Sequence, residues 1–184
     1  MERLLCFFLL LISAAPQTRR HPARPMVNSE ERKAFYVAGL ARRTNNAKEA
    51  AGEGEIGKVW LEFTQGHVAD KIPHPLDDNL IAVYTDYESD QHGDYTYLLG
   101  KKVSDLSDLP AGLVGRYVPS GRYATFVSEK GPLLQVVPQV WQRIWSMSVA
   151  ALGGKRAFEA DYEVYDERAQ DPQNGQVDVY VGLH

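Results

Sequence analysis

The chain of 184 residues has a single cysteine, Cys6, which lies in an apolar stretch near the amino terminus. The remainder therefore has no disulfide, no thiol nucleophile and no cysteine-ligated metal. Basic residues are also scarce there: beyond residue 25 the chain carries 16 Lys and Arg against 23 Asp and Glu, since four of the 20 basic and one of the 24 acidic residues come earlier. The net negative charge of this part of the chain repels nucleic acid and favours cationic partners, so direct DNA binding is not expected.

The apolar stretch covers residues 4–12, which is too short to span a bilayer but is the right length for a signal peptide. Ser13 and Ala15 are small residues suited to a cleavage site, whereas Pro16 directly after it argues against export. The alternative is a translation start at Met26, which would give a cytoplasmic protein. Under either interpretation we expect residues 1–30 to lie outside the fold, residues 31–184 to form one domain, and the mature domain to have no membrane segment.

An internal duplication organises the rest of the chain. At an offset of 81 residues, residues 59–60 (VW) align with residues 140–141, and residues 83–84 (VY) align with residues 164–165. Matched positions in the same order indicate two copies of one supersecondary unit. The copies cover about residues 34–104 and 112–184, and a groove is expected at their pseudo-twofold axis.

Each copy is predicted to be a strand, a helix and two further strands. In the first copy the strands cover residues 35–41, 79–87 and 95–100, and the helix carries an apolar stripe of Ile56, Val59, Trp60 and Phe63. In the second copy the strands cover residues 121–128, 158–166 and 176–182, and the helix begins at residues 131–132. The predicted class is α/β in the broad sense (α+β), with antiparallel sheets around a central ligand groove.

The strand at residues 158–166 carries an unusual set of acids. Strict alternation places Phe158, Ala160, Tyr162 and Val164 on one face and Glu159, Asp161, Glu163 and Tyr165 on the other. If Glu163 lies at the floor of an aromatic cleft, its carboxyl must have a raised pKa or a cationic guest, because a desolvated carboxylate is costly. The alternative is that these acids form a solvated strand face.

Several motifs in this order resemble those of one family. They are residues 36–40 (YVAGL), 44–46 (TNN), 84–90 (YTDYESD), 93–100 (GDYTYLLG), 118–126 (VPSGRYATF), 141–145 (WQRIW) and 161–165 (DYEVY). Together they cover nearly all of residues 30–184. On these motifs the chain resembles the GyrI-like, or AraC-type, effector-binding domains, and among them the stand-alone modules carried as gene cassettes in bacterial integrons.

The resemblance implies a small-molecule binding module that captures lipophilic aromatic cations, with a glutamate neutralising the charge in an aromatic pocket. The matching acid is Glu163. The candidate ligand-binding residues are Glu163, Trp60, Tyr84, Tyr87, Tyr95 and Trp141, with core packing as the alternative role of each aromatic. No cofactor is expected, and the function would be drug sequestration or transcriptional signalling. Candidate partners besides the ligand are a separate regulator that carries a DNA-binding domain and a second copy of the chain.

Other functions are compatible with the same residues. Some relatives resemble hydrolases that open strained rings, in which case Glu163 would be the general base. A ligand-free adaptor is a further class. His67, Asp70 and His74 do not have the spacing of a zinc site, so no metal is expected. Regular alternation also predicts that Tyr84 and Tyr87 point to opposite faces of their strand, which would leave only one of them in the groove.

Overall fold

The computed structural model describes residues 27–184. The strands are β1 (Ser29–Arg32), β2 (Phe35–Thr44), β3 (Leu80–Thr85), β4 (Tyr95–Val103), β5 (Val114–Val118), β6 (Gly121–Val127), β7 (Arg156–Tyr165) and β8 (Asp178–Leu183). The α-helices are α1 (Asn46–Ala51), α2 (Ile56–Gln65), α3 (Leu133–Trp145) and α4 (Val149–Leu152), and 3₁₀ helices cover Val68–Lys71 and Glu167–Ala169. The sheet thus begins at Ser29, before the predicted boundary at residue 31, whereas residues 1–26 of the predicted leader (residues 1–30) lie outside the described residues.

The strands of residues 27–184 join in one antiparallel sheet with the order β1-β6-β8-β7-β3-β4-β2-β5. The predicted mixed fold of helices and antiparallel strands is confirmed. The two halves share this single sheet, because β3 of the first half hydrogen-bonds to β7 of the second half. A site on these two central strands is therefore built by both halves of the chain.

The duplication is visible in the sheet order. The first unit is β2, α2, β3 and β4, the second is β6, α3, β7 and β8, and the two meet at the β3–β7 pair. The strand before each unit is exchanged, since β1 pairs with β6 and β5 pairs with β2. Ala82 pairs directly with Glu163, which is also its counterpart at the offset of 81 residues. The pseudo-twofold axis therefore passes between Ala82 and Glu163.

The two long helices pack on one face of the sheet. Val59 and Phe63 of α2 are buried, as are Val140 and Ile144 of α3, and in each helix the two residues are four positions apart on one stripe. These side chains belong to one apolar cluster, whereas a second cluster consists of strand residues alone. No helix within residues 27–184 combines the length and the apolar character needed to cross a lipid bilayer.

Strand β7 departs from regular alternation at its start. Phe158 has a left-handed φ of 53°, and five steps along β7, from Arg156 to Asp161, correspond to two steps along β8. This bulge turns the ring of Phe158 toward Tyr87, at 5.6 Å between ring centroids. The predicted placement of Phe158 on the face of Tyr162 is therefore wrong. From residue 160 onward the alternation holds.

Candidate functional site

Glu163 lies at the centre of the sheet, facing the helices. Its side chain is buried, with 1% of the residue surface exposed. Tyr84 Oη and Trp141 Nε1 donate hydrogen bonds to Oε1 at 2.8 and 2.6 Å, and Tyr165 Oη donates to Oε2 at 2.7 Å. The alternative of a solvated strand face is therefore wrong for Glu163, although Glu159 on the same strand is exposed.

The aromatic residues around Glu163 follow the pseudo-twofold symmetry. Tyr84 and Tyr165 are counterparts at the offset of 81 residues, and each donates to one carboxylate oxygen. The helices supply a second matched pair: Trp141 packs on Tyr84 at 4.8 Å between ring centroids, and Trp60 packs on Tyr165 at 5.0 Å. Each tryptophan thus contacts the tyrosine of the other half. The acid itself has no counterpart in the first half, because Ala82 occupies the equivalent position.

The electrostatics of Glu163 are set by burial and by neutral donors. Burial raises the pKa of the Glu163 carboxyl above its ordinary value, and the hydrogen bonds from Trp141, Tyr165 and Tyr84 oppose the rise by stabilising the charged form. Burial also raises the pKa of the Tyr84 and Tyr165 hydroxyls well above the ordinary value, so both stay protonated and can donate. Within residues 27–184 no Lys, Arg or His forms an ion pair with Glu163.

Asp161 is a second buried carboxylate on the same face of β7, two residues from Glu163. Its surroundings differ, because Arg156 Nη2 lies 2.5 Å from Oδ2 in a buried ion pair. Tyr87 Oη donates to Oδ2 at 2.7 Å, and the backbone N–H of Gly182 donates to Oδ1 at 2.8 Å. Asp161 thus has a cation supplied by the protein itself, which the bulge in β7 brings to the same side of the strand.

Four of the predicted aromatic residues gather near Glu163, namely Trp60, Tyr84, Tyr95 and Trp141, with Tyr95 in ring contact with Tyr84 at 5.5 Å. Tyr87 also contacts Tyr95, at 5.7 Å, but its hydroxyl binds Asp161. The prediction that Tyr84 and Tyr87 point in opposite directions is wrong. Strand β3 ends at Thr85, and Asp86 adopts a left-handed φ of 49°. Regular alternation therefore stops before Tyr87, whose side chain points to the same side of the sheet as Tyr84.

Two further tyrosines belong to the cluster. Alternation places Tyr165 on the acidic face, but the predicted ligand-binding residues do not include it. Its match to Tyr84 at the repeat offset is a signal that can locate it. Tyr97 lies opposite Tyr84 on β4, with its ring 5.3 Å away. The buried Tyr97 hydroxyl has no hydrogen-bond partner among the described residues. Register between strands, which locates Tyr97, cannot be read from one strand alone.

Most of the side chains around Glu163 are buried. Tyr84, Tyr95, Tyr97 and Trp141 are all at most 9% exposed. Two cavities of the described chain lie elsewhere: one of 360 Å³ is next to residues 31–35, and one of 180 Å³ is between α3 and the end of β6. The side chain of Glu163 faces inward, with 1% of the residue surface exposed, and the side chains that bind it also close the expected groove beside it.

The described residues contain no group of three or more His, Cys, Asp or Glu side chains that could hold a metal ion. The segment with His67, Asp70 and His74 instead forms a 3₁₀ helix over Val68–Lys71 with left-handed residues His67 and His74 on either side. The arrangement at Glu163 is a buried carboxyl group with aromatic walls. Its chemistry suits the capture of a cation.

Comparison with known proteins places this geometry in context. Residues 30–183 match the family Cass2, described as integron-associated effector binding protein. YobU of Bacillus subtilis (strain 168), provisionally named a transcriptional regulator, is 33% identical over 147 residues, which cover 79% of this chain and 90% of YobU. An integron cassette protein of Vibrio cholerae has a TM-score of 0.68 at 27% identity, covering 87% of this chain and 97% of that protein. SAV2435, solved with bound tetraphenylphosphonium, has a TM-score of 0.68 at 15% identity, covering 86% and 93% of the two chains.

Proposed function

The chain belongs to the Cass2 family of integron-associated effector-binding proteins, and we propose that its effector is a lipophilic aromatic cation neutralised by Glu163. The observation that carries this proposal is a fully buried carboxylate with three neutral hydrogen-bond donors and no cationic partner among residues 27–184. A guest cation would supply the charge that the surrounding residues do not. The neighbouring Asp161, which has Arg156, needs no such guest.

The energetics favour a large, weakly hydrated cation. Burying a carboxylate without a counter-charge is costly, and the donors from Tyr84, Trp141 and Tyr165 offset only part of this cost. A cation over an aromatic face gains about 0.5–2 kcal/mol per ring, more when water is excluded. A strongly hydrated inorganic cation would lose its hydration shell in such an environment, whereas an organic cation with aromatic groups would gain contacts with the rings.

Binding requires the aromatic side chains to separate. Trp60 and Trp141 are carried by α2 and α3, whereas Tyr84 and Tyr165 are held on the central strands, so a shift of a helix would move a tryptophan and leave the tyrosines in place. Trp141 is buried and hydrogen-bonds to Glu163, but Trp60 is half-buried and packs on Tyr165 by its ring. We therefore expect Trp60 to move first and the guest to lie against Tyr165.

The proposed role is capture of toxic organic cations in the cytoplasm, or signalling of their presence to a separate regulator that binds DNA. The tetraphenylphosphonium bound to SAV2435 is a cation of the proposed type in a protein of the same fold. The acidic balance of the chain, 16 Lys and Arg against 23 Asp and Glu after residue 25, favours a cationic guest over direct contact with DNA.

Isothermal titration calorimetry with tetraphenylphosphonium tests the proposal. The neutral triphenylphosphine oxide controls for ring contacts without charge. We expect the cation to bind the wild-type protein and Glu163→Gln to weaken binding by about tenfold or more, since an interaction with a buried charge is worth at least 1.4 kcal/mol. The matched control is Glu159→Gln, which removes an exposed acid from the same strand and should leave the affinity unchanged.

Equal affinity of wild type and Glu163→Gln for the cation would remove Glu163 from this role. The alternative function, a ring-opening hydrolase, is tested by incubating the protein with a strained-ring electrophile and analysing the products by mass spectrometry. We expect no product of water addition, because the carboxylate oxygens are occupied by Tyr84, Trp141 and Tyr165. Turnover that is lost in Glu163→Gln would assign the site to catalysis.

A further inference from the structure

A separate cavity lies on the face of the sheet that carries no helix. It has a volume of 360 Å³ and is lined by residues 31–35 at the β1–β2 connection, by Lys102 of β4 and by Tyr162 of β7. Tyr162 is the neighbour of Glu163 on β7 but belongs to the opposite, strand-only cluster. The sheet therefore separates this cavity from the aromatic cluster around Glu163.

The charge of this cavity is opposite to that of the protein. Its lining includes three cations, Arg32, Lys33 and Lys102, and one acid, Glu31. Glu30 also forms a partly exposed ion pair with Arg32 at 3.6 Å, so three cations stand against two acids at this cavity. This cluster of basic side chains contrasts with the chain after residue 25 as a whole, where 23 Asp and Glu outnumber 16 Lys and Arg. The local excess of positive charge favours an anionic ligand.

Two of the cations are backed by aromatic rings. The guanidinium of Arg32 lies 4.3 Å from the ring centroid of Tyr180, and Lys102 Nζ lies 4.5 Å from that of Phe35. Stacking on a ring face holds a cation in place while its N–H groups remain able to donate in other directions. This geometry presents two fixed cations at the same cavity.

One donor and one cation at the cavity have no partner among the described residues. Arg32 Nε is buried and has no partner among residues 27–184, and Lys102 forms no ion pair within that part of the chain. Burial lowers the pKa of Lys102, although Asp77 opposes this shift. A bound anion would therefore offset the cost of burying the charged ammonium group. Burial also raises the pKa of Tyr162 to about 12, which keeps its hydroxyl protonated as a further donor.

We propose that this cavity binds a small aromatic carboxylate, with its carboxylate on Arg32 and Lys102 and its ring against Phe35 and Tyr162. The planar guanidinium of Arg32 matches the geometry of a carboxylate. Phe35 and Tyr162 pack edge to face at 5.2 Å and form an apolar wall. The volume lies at the lower end of the range for small-molecule sites, about 300–1,000 Å³, so an organic acid fits better than a lone inorganic ion.

Calorimetry with the full chain and 2-naphthoate tests this site, with 2-naphthamide as the neutral analogue of the same shape. We expect 2-naphthoate to bind and 2-naphthamide to bind at least tenfold more weakly. Arg32→Met and Lys102→Met keep apolar side chains of similar length and should each reduce naphthoate affinity by about tenfold, the loss expected for one charge-assisted hydrogen bond. Lys130→Met, which removes an exposed cation elsewhere, is the matched control and should change nothing.

Saturating tetraphenylphosphonium should leave naphthoate binding intact, because the sheet lies between the two sites. This competition experiment tests the carboxylate site independently of the proposed cation site at Glu163. Equal binding of naphthoate and naphthamide, unchanged affinity in Arg32→Met and Lys102→Met, or no binding of naphthoate would each overturn the proposal. Circular dichroism of each variant confirms folding, and Arg32→Lys, which retains the charge but not the planar fork, replaces Arg32→Met if that variant unfolds.

Discussion

Asp161 and Glu163 are two carboxylates on one face of one strand, and both are buried. Asp161 is satisfied within the protein by Arg156, Tyr87 and the backbone of Gly182. Within residues 27–184, Glu163 accepts hydrogen bonds from Tyr84, Trp141 and Tyr165 alone, all of them neutral. The comparison shows that burial alone does not identify a functional acid. The informative difference is whether the protein supplies the counter-charge.

The largest expected effect concerns the ion pair of Asp161. Arg156→Met should destabilise the protein by about 3–5 kcal/mol, because it leaves a buried carboxylate without its cation. By contrast, Glu163→Gln should change stability by less than about 1 kcal/mol, since an amide can keep the donors from Tyr84 and Trp141. Urea denaturation measures both. Similar losses in the two variants would show that Glu163 is as structural as Asp161.

A smaller effect is expected when a donor to Glu163 is removed. Trp141→Phe keeps an aromatic ring but loses the Nε1–H, and should cost roughly 1.5–3 kcal/mol as the loss of a hydrogen bond to a charged group. It should also raise the pKa of Glu163 further, because that bond stabilises the charged form. Carboxyl ¹³C NMR titration follows this pKa. Trp145→Phe on the same helix is the control, and a lower pKa in Trp141→Phe would contradict the assignment.

The raised pKa of Glu163 also predicts how stability depends on pH. The folded state keeps a proton that the unfolded state has lost above the ordinary carboxyl value of 4.5, so this contribution is complete below that value and disappears as pH rises through the folded pKa. We expect the stability of wild type relative to Glu163→Gln to fall over that window. Saturating tetraphenylphosphonium should reverse the fall, since a cation favours the charged carboxylate. A difference that does not vary with pH would refute a raised pKa.

The smallest effect is expected at Tyr87. Tyr87→Phe removes one donor from Asp161 but leaves Arg156 and the N–H of Gly182 in place. We expect a loss of about 0.5–1.5 kcal/mol and no change in the affinity for tetraphenylphosphonium. Urea denaturation measures the stability loss, and calorimetry measures the affinity for tetraphenylphosphonium. A marked loss of cation affinity in Tyr87→Phe would instead place this tyrosine in the ligand site, as the sequence pattern predicted.

Local patterns were sufficient to predict much of this arrangement. The repeat offset located both long helices and the two strands that meet at the centre of the sheet, and alternation placed Glu163 and Tyr165 on one face of their strand. The ion pair of Asp161 was not predicted, because Arg156 reaches it through a bulge in which Phe158 has a positive φ, a conformation that β alternation does not anticipate. The closed state of the groove depends on side-chain packing between halves, which sequence spacing does not specify.

The pairing of Ala82 with Glu163 at the pseudo-twofold axis has an evolutionary consequence. In a homodimer of two separate half-length chains, every residue at the axis would occur twice, so one acid there would face an identical acid and the two would repel. Covalent fusion of the halves frees each copy to mutate alone. A single carboxylate on the pseudo-twofold axis can therefore arise in a chain whose two halves are fused. It cannot arise in a strictly symmetric homodimer of the half-length chain.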